Sequence, residues 1–432
     1  MYKFFILIIC LFISCDKTEN NLSDIQDTNI QDNSAIIVSL QDSDNVAIVN
    51  SLDLEVKYQV SIELNNTNCE AILNEVDCQM AGCMWHVMDN GIADCMNMDM
   101  GGNNAPHDIA VDNTNGYWFT TAMMSGDVGM YSTETNEFIS SFTIGSMPAL
   151  MSVDEVNMLI YVSRGMPNGM PMPIYELSYE SGVLVEVEQW NVQFDYAHGI
   201  HFDNISGNVY TVSKTNDYIA KINPNEAQIP FSNPMITSMD TIYNQNHTIS
   251  VNRLRPIHIT SKYPYMFITC SAGEWSSDEI YEEIPGQVQM WHMEDMELLS
   301  VFEFDTYSRP WHIESSPIED KIFISLSGGE GTNGNSDSGV VCIEFNADSQ
   351  NMLNQSWITT SSEYGALHGI AVHSDCDGNY YVYSTGRTDG NIYKFDAQTG
   401  QQVGVTNLVS SGSVRTGGIN SFIPPCEASC CD

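Results

Sequence analysis

The chain has 432 residues, 43% hydrophobic and 10% aromatic, enough apolar material to bury a sizeable core. Its 56 acidic residues face only 14 basic ones, a formal charge of −42. A surface of that sign repels phosphate backbones and anionic lipid, so nucleic acid is not among the expected partners.

The N-terminal run "MYKFFILIICLFIS" (residues 1–14) places one Lys before an apolar stretch too short to span a bilayer, the form of a signal peptide. It ends in "LFISC", which resembles the lipobox of bacterial lipoproteins, a small residue just before an acceptor cysteine. That resemblance implies a mature chain that starts at a lipid-bearing Cys15 and is anchored in a membrane of the bacterial cell envelope, in the periplasm or at the surface. An ordinary signal peptide with an incidental cysteine is the other reading. The acidic, Asn/Ser-rich residues 15–33 read as a disordered tether.

Residues 34–64 contain three alternating runs, "AIIVSL", "NVAIVNS" and "KYQVSIEL", predicted as strands. Residues 65–105 follow, with Cys69, Cys78, Cys83 and Cys95 crowded into one small patch. Export implies an oxidising compartment, and a patch without its own core needs covalent staples, so disulfides among these four are expected. Zinc held by Cys78, Cys83 and the nearby His86 is the alternative. Setting Cys10 and Cys15 aside leaves ten of the twelve cysteines, with Cys426, Cys430 and Cys431 in a tail over residues 423–432.

From Pro106 onward a unit repeats. It opens at "PHDIAV", "PALMSV", "AHGIHF", "PIHIT", "PWHIE", "LHGIAV" and "TGGINSF", at intervals of 42 to 59 residues. A second apolar run follows each of the first six openings, such as "GYWFTTA" or "KIFISLS", then a third such as "VVCIEF" and usually a fourth. Short strands at this period with turn residues between them predict four-stranded blades. The seventh unit has only its first strand, and the three strands of residues 34–64 are available to complete it. The expected fold is all-β: a seven-bladed β-propeller over residues 34–64 and 106–422, closed by N-terminal strands completing the last blade. The Cys-rich residues 65–105 form a small insertion between the last blade and the first.

The pattern "PHDIAVD…GYWFTTA…GDVGMYSTETNEFISSFTIGSMP" resembles the YVTN/NHL-type propeller repeat. That resemblance implies the seven-bladed fold and a functional range that includes binding proteins, lactonases and streptogramin lyase. Nitrous oxide reductase, another seven-bladed propeller, lines its axis with copper-binding histidines; this chain shares a ring of histidines but not that enzyme's motifs.

Propeller geometry brings the starts of all first strands to one face, together with the loops joining second to third strands. His107, His198, His258, His312 and His368 are therefore expected at one mouth of the axis. His258 and His312 sit one position later than the others, and a one-residue shift along a strand reverses a side chain's direction. Two readings stand: packing between blades, or a shared site for copper or zinc, which imidazole suits. Met96, Met98, Met100, Met166, Met170 and Met172 add thioethers, which favour Cu(I). The same face is expected to collect Arg164, Arg255, Arg309, Arg387 and Arg415, with Lys214 at the end of a second strand. Guanidinium forks match carboxylate, sulfate and phosphate, so an anion seat is one reading and neutralisation of acidic loops the other. Residues 328–339, "GGEGTNGNSDSG", read as a loop of that face, or as a calcium loop without EF-hand spacing.

No G-x-S-x-G, H-E-x-x-H or phosphate-cradling glycine loop is present. The expected function is binding of a protein partner or a small anionic ligand at the mouth. The alternative is a metal-dependent propeller enzyme (lyase, lactonase or copper oxidoreductase) using the histidines.

Overall fold

A computed structural model of the chain describes residues 34–64, 84–87, 93–96, 104–145, 147–165, 173–192, 194–215, 217–225, 236–241, 254–272, 285–331, 334–375, 378–409 and 415–424. It contains seven four-stranded antiparallel sheets, the blades of a propeller. Their first strands are Pro106–Asp112, Pro148–Asp154, Ala197–Asp203, Pro256–Lys262, Pro310–Ser315, Leu367–Ser374 and Thr416–Phe422. Blade 7 takes its other three strands from the N-terminal side: Ala35–Leu40 pairs with Thr416–Phe422, followed outward by Asn45–Asn50 and Val56–Ser61. The ring closes by backbone pairing, as its sequence implied, and blade 7 thereby has four strands like the other six.

Burial follows from position in the blade. Second strands lie between neighbouring blades and are apolar on both faces; Lys321–Leu326 is buried from Ile322 onward. Outer strands alternate, and Gln402–Asn407 switches between partly buried and exposed at every residue. Seven apolar clusters fill the seven gaps between neighbouring blades. Val128, Ile160 and Leu177 join blades 1 and 2, and Val38, Ile392 and Ile419 join blades 6 and 7.

All seven first strands carry a β-bulge near their start. A bulge leaves a residue out of the ladder, so its buried carbonyl needs another donor. The neighbouring blade supplies it. Ala149 O accepts from Thr121 Oγ1 (2.9 Å), His198 O from Ser163 Oγ (2.7 Å) and Trp311 O from Thr269 Oγ1 (2.5 Å). His368 O accepts from Ser325 Oγ (2.5 Å), Gly417 O from Thr385 Oγ1 (3.1 Å) and His107 O from Ser39 Oγ (2.9 Å). Between blades 3 and 4 the hydroxyl position is Val212, and the His198 ring replaces it, donating from Nδ1 to Ile257 O at 2.8 Å. Gly199 and Gly369 leave room here, since a Cβ on either would lie 2.7 Å from the carbonyl oxygen of Ile257 or Gly417.

Residues 1–14, Cys15, residues 15–33, Cys69, Cys78, Cys83 and the tail cysteines lie outside the described residues. Within residues 65–105 a hairpin is described, Met84–Val87 with Ala93–Met96, and Cys95 on it is buried. The free cysteines among the described residues are Cys270 and Cys342, both in the apolar interior, where burial pushes the Cys342 thiol up to about 12. Residues 328–339, expected as a loop, contain a hairpin of Gly329–Gly331 with Gly334–Ser336.

Removing a lacing hydroxyl leaves a buried carbonyl without its donor. Thr385→Val, which keeps the side chain's shape, is expected to destabilise the protein by about 1–3 kcal/mol in urea unfolding. His198→Phe should do the same, and Val212→Thr should restore part of that loss by returning a hydroxyl to the third blade.

Candidate functional site

The residue before the opener has a left-handed backbone in six blades: Ala105, Met147, Tyr196, Arg255, Arg309 and Ala366. Such a conformation costs a non-glycine residue about 1 kcal/mol or more and must be held by its surroundings. Its carbonyl accepts an N–H from the residue just past the second strand: Lys214 to Tyr196, Ser271 to Arg255, Ser327 to Arg309, Arg387 to Ala366. In blade 7, Gln41 N–H bonds Arg415 O at 2.8 Å, so the N-terminal clasp uses the same clamp. The two sides of these clamps hold Lys214, Arg255, Arg309, Arg387 and Arg415, all at the face where first strands begin.

The five histidines meet at this face. Ring centroids are 4.6 Å apart between His258 and His312, and 4.7 Å between His312 and His368. They are 6.0 Å apart between His368 and His107, and 6.4 Å between His107 and His198. The one-residue offset of His258 and His312 does not separate them, because a bulge sets two residues against one and suspends strict alternation. A circuit then closes through Tyr196, 5.6 Å from His198, and Trp311, 5.3 Å from His368. Lys214 Nζ lies 4.8 Å from the Trp311 ring and 5.5 Å from the Tyr196 ring. This side chain starts in blade 3 and reaches a blade 5 aromatic, so it crosses the mouth.

Hydrogen bonds set the ring nitrogens. Gln41 Nε2 donates to His107 Nδ1 at 2.8 Å, which leaves the His107 proton on Nε2. His198 donates from Nδ1, which leaves Nε2 as an acceptor. His312 Nε2 and His368 Nδ1 are buried without a hydrogen-bond partner among the described residues. Burial, reinforced by the charges of Arg387 and Lys214, pushes His107 down to about 3. Burial also pushes His258 down to about 4 and holds His198, His312 and His368 well below the ordinary histidine range. At neutral pH the ring is uncharged and its polarity comes from N–H donors and lone pairs.

The positive charge comes from the lysine and arginines. Burial, then the neighbouring Arg255 and Arg387, lowers Lys214 to about 8. Burial, then Arg415, lowers Arg387 to about 10, and its Nη1 donates to Thr416 O at 3.2 Å. Among the described residues no carboxylate pairs with Lys214 or Arg387. Arg415 is committed elsewhere: its Nε and Nη2 both bind Asp42 Oδ1 at 2.8 Å, fastening the clasp. Arg164 is buried 5.5 Å from the Tyr175 ring of its own blade, and the Arg309 guanidinium lies against Gly329. Thus the charges of Arg255 and Arg387 reach Lys214, while Arg415 lies against Asp42, Arg164 against Tyr175 and Arg309 against Gly329. Met98, Met100, Met166, Met170 and Met172 lie outside the described residues. No group of three or more His, Cys, Asp or Glu among the described residues is arranged to hold a metal ion.

Reading the histidines alone misses Tyr196 and Trp311, although one immediately precedes an opener and the other follows one. Gln41 and Asp42 have no local signal. They reach the mouth only because the clasp strand brings them there.

No family model and no curated protein sequence matches the chain. Solved structures do. A functionally unknown protein from Desulfotomaculum acetoxidans aligns over 90% of this chain and 99% of its own, at 12% identity and a TM-score of 0.60. The periplasmic gluconolactonase of Pseudomonas aeruginosa aligns over 89% and 99%, at 11% identity and a TM-score of 0.59. At such identities the likeness is one of fold.

The charge coupling at the mouth is measurable by NMR of lysine amines. Lys214 is expected to titrate at about 8, and Arg387→Ala should raise that midpoint by removing a positive neighbour. An unchanged midpoint would mean that the two charges do not interact.

Proposed function

We propose that the chain is an exported, lipid-anchored propeller of the bacterial cell envelope that binds a small anion at the axial mouth. The ligand class is a carboxylate, sulfate or phosphate. One observation supports this above the others. In a chain with 56 acidic residues, the charges of Lys214 and Arg387 reach each other, and no described hydrogen bond or ion pair joins either to a carboxylate, the charge of Asp42 acting on Arg387 only at a distance. Keeping like charges together is unfavourable unless an anion joins them. Lys214 and Arg387 would hold the charged oxygens, with Arg255 adding positive potential. His107 Nε2–H supplies a neutral donor and His198 Nε2 an acceptor for a ligand hydroxyl, while Trp311 and Tyr196 give the ligand's carbon skeleton flat walls.

The second reading, a metal-dependent enzyme, draws support from the orphaned His312 Nε2 and His368 Nδ1 on adjacent rings. A metal there would take two imidazoles and complete its coordination with substrate or water. About one equivalent of copper or zinc retained by protein purified without a His tag would favour this reading over a simple anion seat.

Small acids, sulfated sugars and phosphates, screened by thermal shift at pH 7, should include one that raises the melting temperature. Arg387→Ala and Lys214→Met should each weaken its binding roughly ten- to a hundredfold, the loss of a charged contact worth about 1.5–3 kcal/mol. Affinity should also fall as pH rises through about 8, where Lys214 gives up its proton. If no anion stabilises the protein, the mouth is a protein-binding surface instead.

The anchoring proposal has its own test: Cys15→Ser should move the protein from the membrane to the soluble fraction. A variant that stays membrane-bound overturns it. Non-reducing peptide mapping should find Cys69, Cys78, Cys83 and Cys95 paired among themselves.

A further inference from the structure

The face opposite the mouth carries a pocket of about 310 Å³ between blades 2 and 3. That size is at the lower end for small-ligand clefts, which run from about 300 to 1,000 Å³. Glu176, Asp154, Tyr161, Phe202, Leu159 and Pro224 form most of its wall. Glu176 is 7% exposed, and no hydrogen bond or ion pair from a described residue reaches its carboxylate. A buried carboxylate in that state is expensive, because nothing replaces the water it has lost.

Its neighbours deepen the problem. Glu176 stands directly across the antiparallel ladder from Glu188, an arrangement that destabilises a sheet when both are charged. Asp154 is also close, and its oxygens are already used: Oδ1 accepts from Val156 N and Asn157 N, Oδ2 from Asn157 Nδ2. Burial, then Glu188 and Asp154, pushes the Glu176 carboxyl up to about 7. On its other side the ladder neighbour is Tyr161, whose ring lies 5.3 Å from Phe202. Glu176 and Asp154 thus line the pocket beside an aromatic wall, and of these two carboxylates Glu176 is the one without a partner among the described residues. No cage for a metal ion exists among the described residues, and beside the polar groups of the lining Tyr161, Phe202 and Leu159 offer a wall that a short carbon chain can cover.

We infer that this pocket binds a small organic cation, a primary alkylammonium whose head group pairs with Glu176 while its carbon chain lies along Tyr161, Phe202 and Leu159. The head group would separate Glu176 from Glu188, and the aromatic rings would add cation–π attraction. Nothing in this site depends on the mouth.

Isothermal titration calorimetry with n-butylammonium and 1,4-diaminobutane tests the assignment on the full mature chain. Saturable binding is expected at pH 8, at least tenfold weaker at pH 5.5, where Glu176 is protonated. In Glu176→Gln the binding should likewise fall at least tenfold, with a melting temperature no lower than that of the wild type, because the substitution removes an unpaired buried charge. Glu188→Gln should give a smaller loss of affinity. The proposal fails if neither amine binds saturably, if Glu176→Gln binds as well as the wild type, or if Ca²⁺ displaces the amine. A clearly lowered melting temperature in Glu176→Gln also overturns it, since the carboxylate would then have a partner within the fold.

Discussion

The bulge at the start of each first strand is the constraint from which the rest of the propeller follows. Each bulge turns one carbonyl out of its own sheet, and a buried carbonyl must find a donor. Six blades supply a Ser or Thr hydroxyl from the preceding second strand, and blade 3 supplies the His198 ring. Neighbouring blades are therefore joined near the axis by directional bonds as well as by apolar packing further out. Apolar packing alone tolerates sliding; a ring of hydrogen bonds fixes the height of each blade against the next.

The same device builds the site. Because the strand bulges, the residues just after the opener converge on the axis whichever of two registers they occupy, and histidines from five blades come into contact. The left-handed residue before the opener and the N–H that clamps it form a second ring just outside, and the basic residues occupy that ring. Closure and site are one piece of structure: the strand that completes blade 7 brings Ser39 to lace His107, Gln41 to orient its ring and Asp42 to hold Arg415. Loss of the clasp would open the blade ring and disorganise the mouth together.

The architecture was legible because it depends on repetition. Seven openers with second strands behind six of them leave few folds other than a propeller, and the incomplete seventh unit pointed to residues 34–64. The convergence of the histidines was also legible, since all five occupy the same slot to within one residue. Which way the offset would turn His258 and His312 was not legible, because a bulge has no reliable signature in one sequence. What each cation does was hidden for a different reason. Arg415 and Arg387 occupy similar places, yet one meets Asp42 and the other a backbone carbonyl, a difference set by which residue lies across the ring. Ser39, Gln41 and Asp42 are more than 60 residues in sequence from the mouth's other groups, and only chain closure assigns them there.

Charge then explains why the mouth differs from the rest of the surface. Away from the axis, the lysines with described contacts are neutralised where they stand: Lys221 by Glu294, Lys262 by Asp320, Lys321 by Glu319. Lys394 is held by the carbonyls of Ser51 and Leu52. Lys214 is not; it rests on the faces of Trp311 and Tyr196, which steady a cation without cancelling its charge. The surrounding acidic surface repels an approaching anion at long range, but at physiological salt that field is screened within about 8 Å. Inside that distance Lys214, Arg255 and Arg387 dominate, strengthened by the low dielectric that keeps the histidines neutral. An anion bound as proposed would therefore gain little from the general surface and much from a close fit at the axis, which would place selectivity in the geometry of the aromatic and histidine ring rather than in net charge.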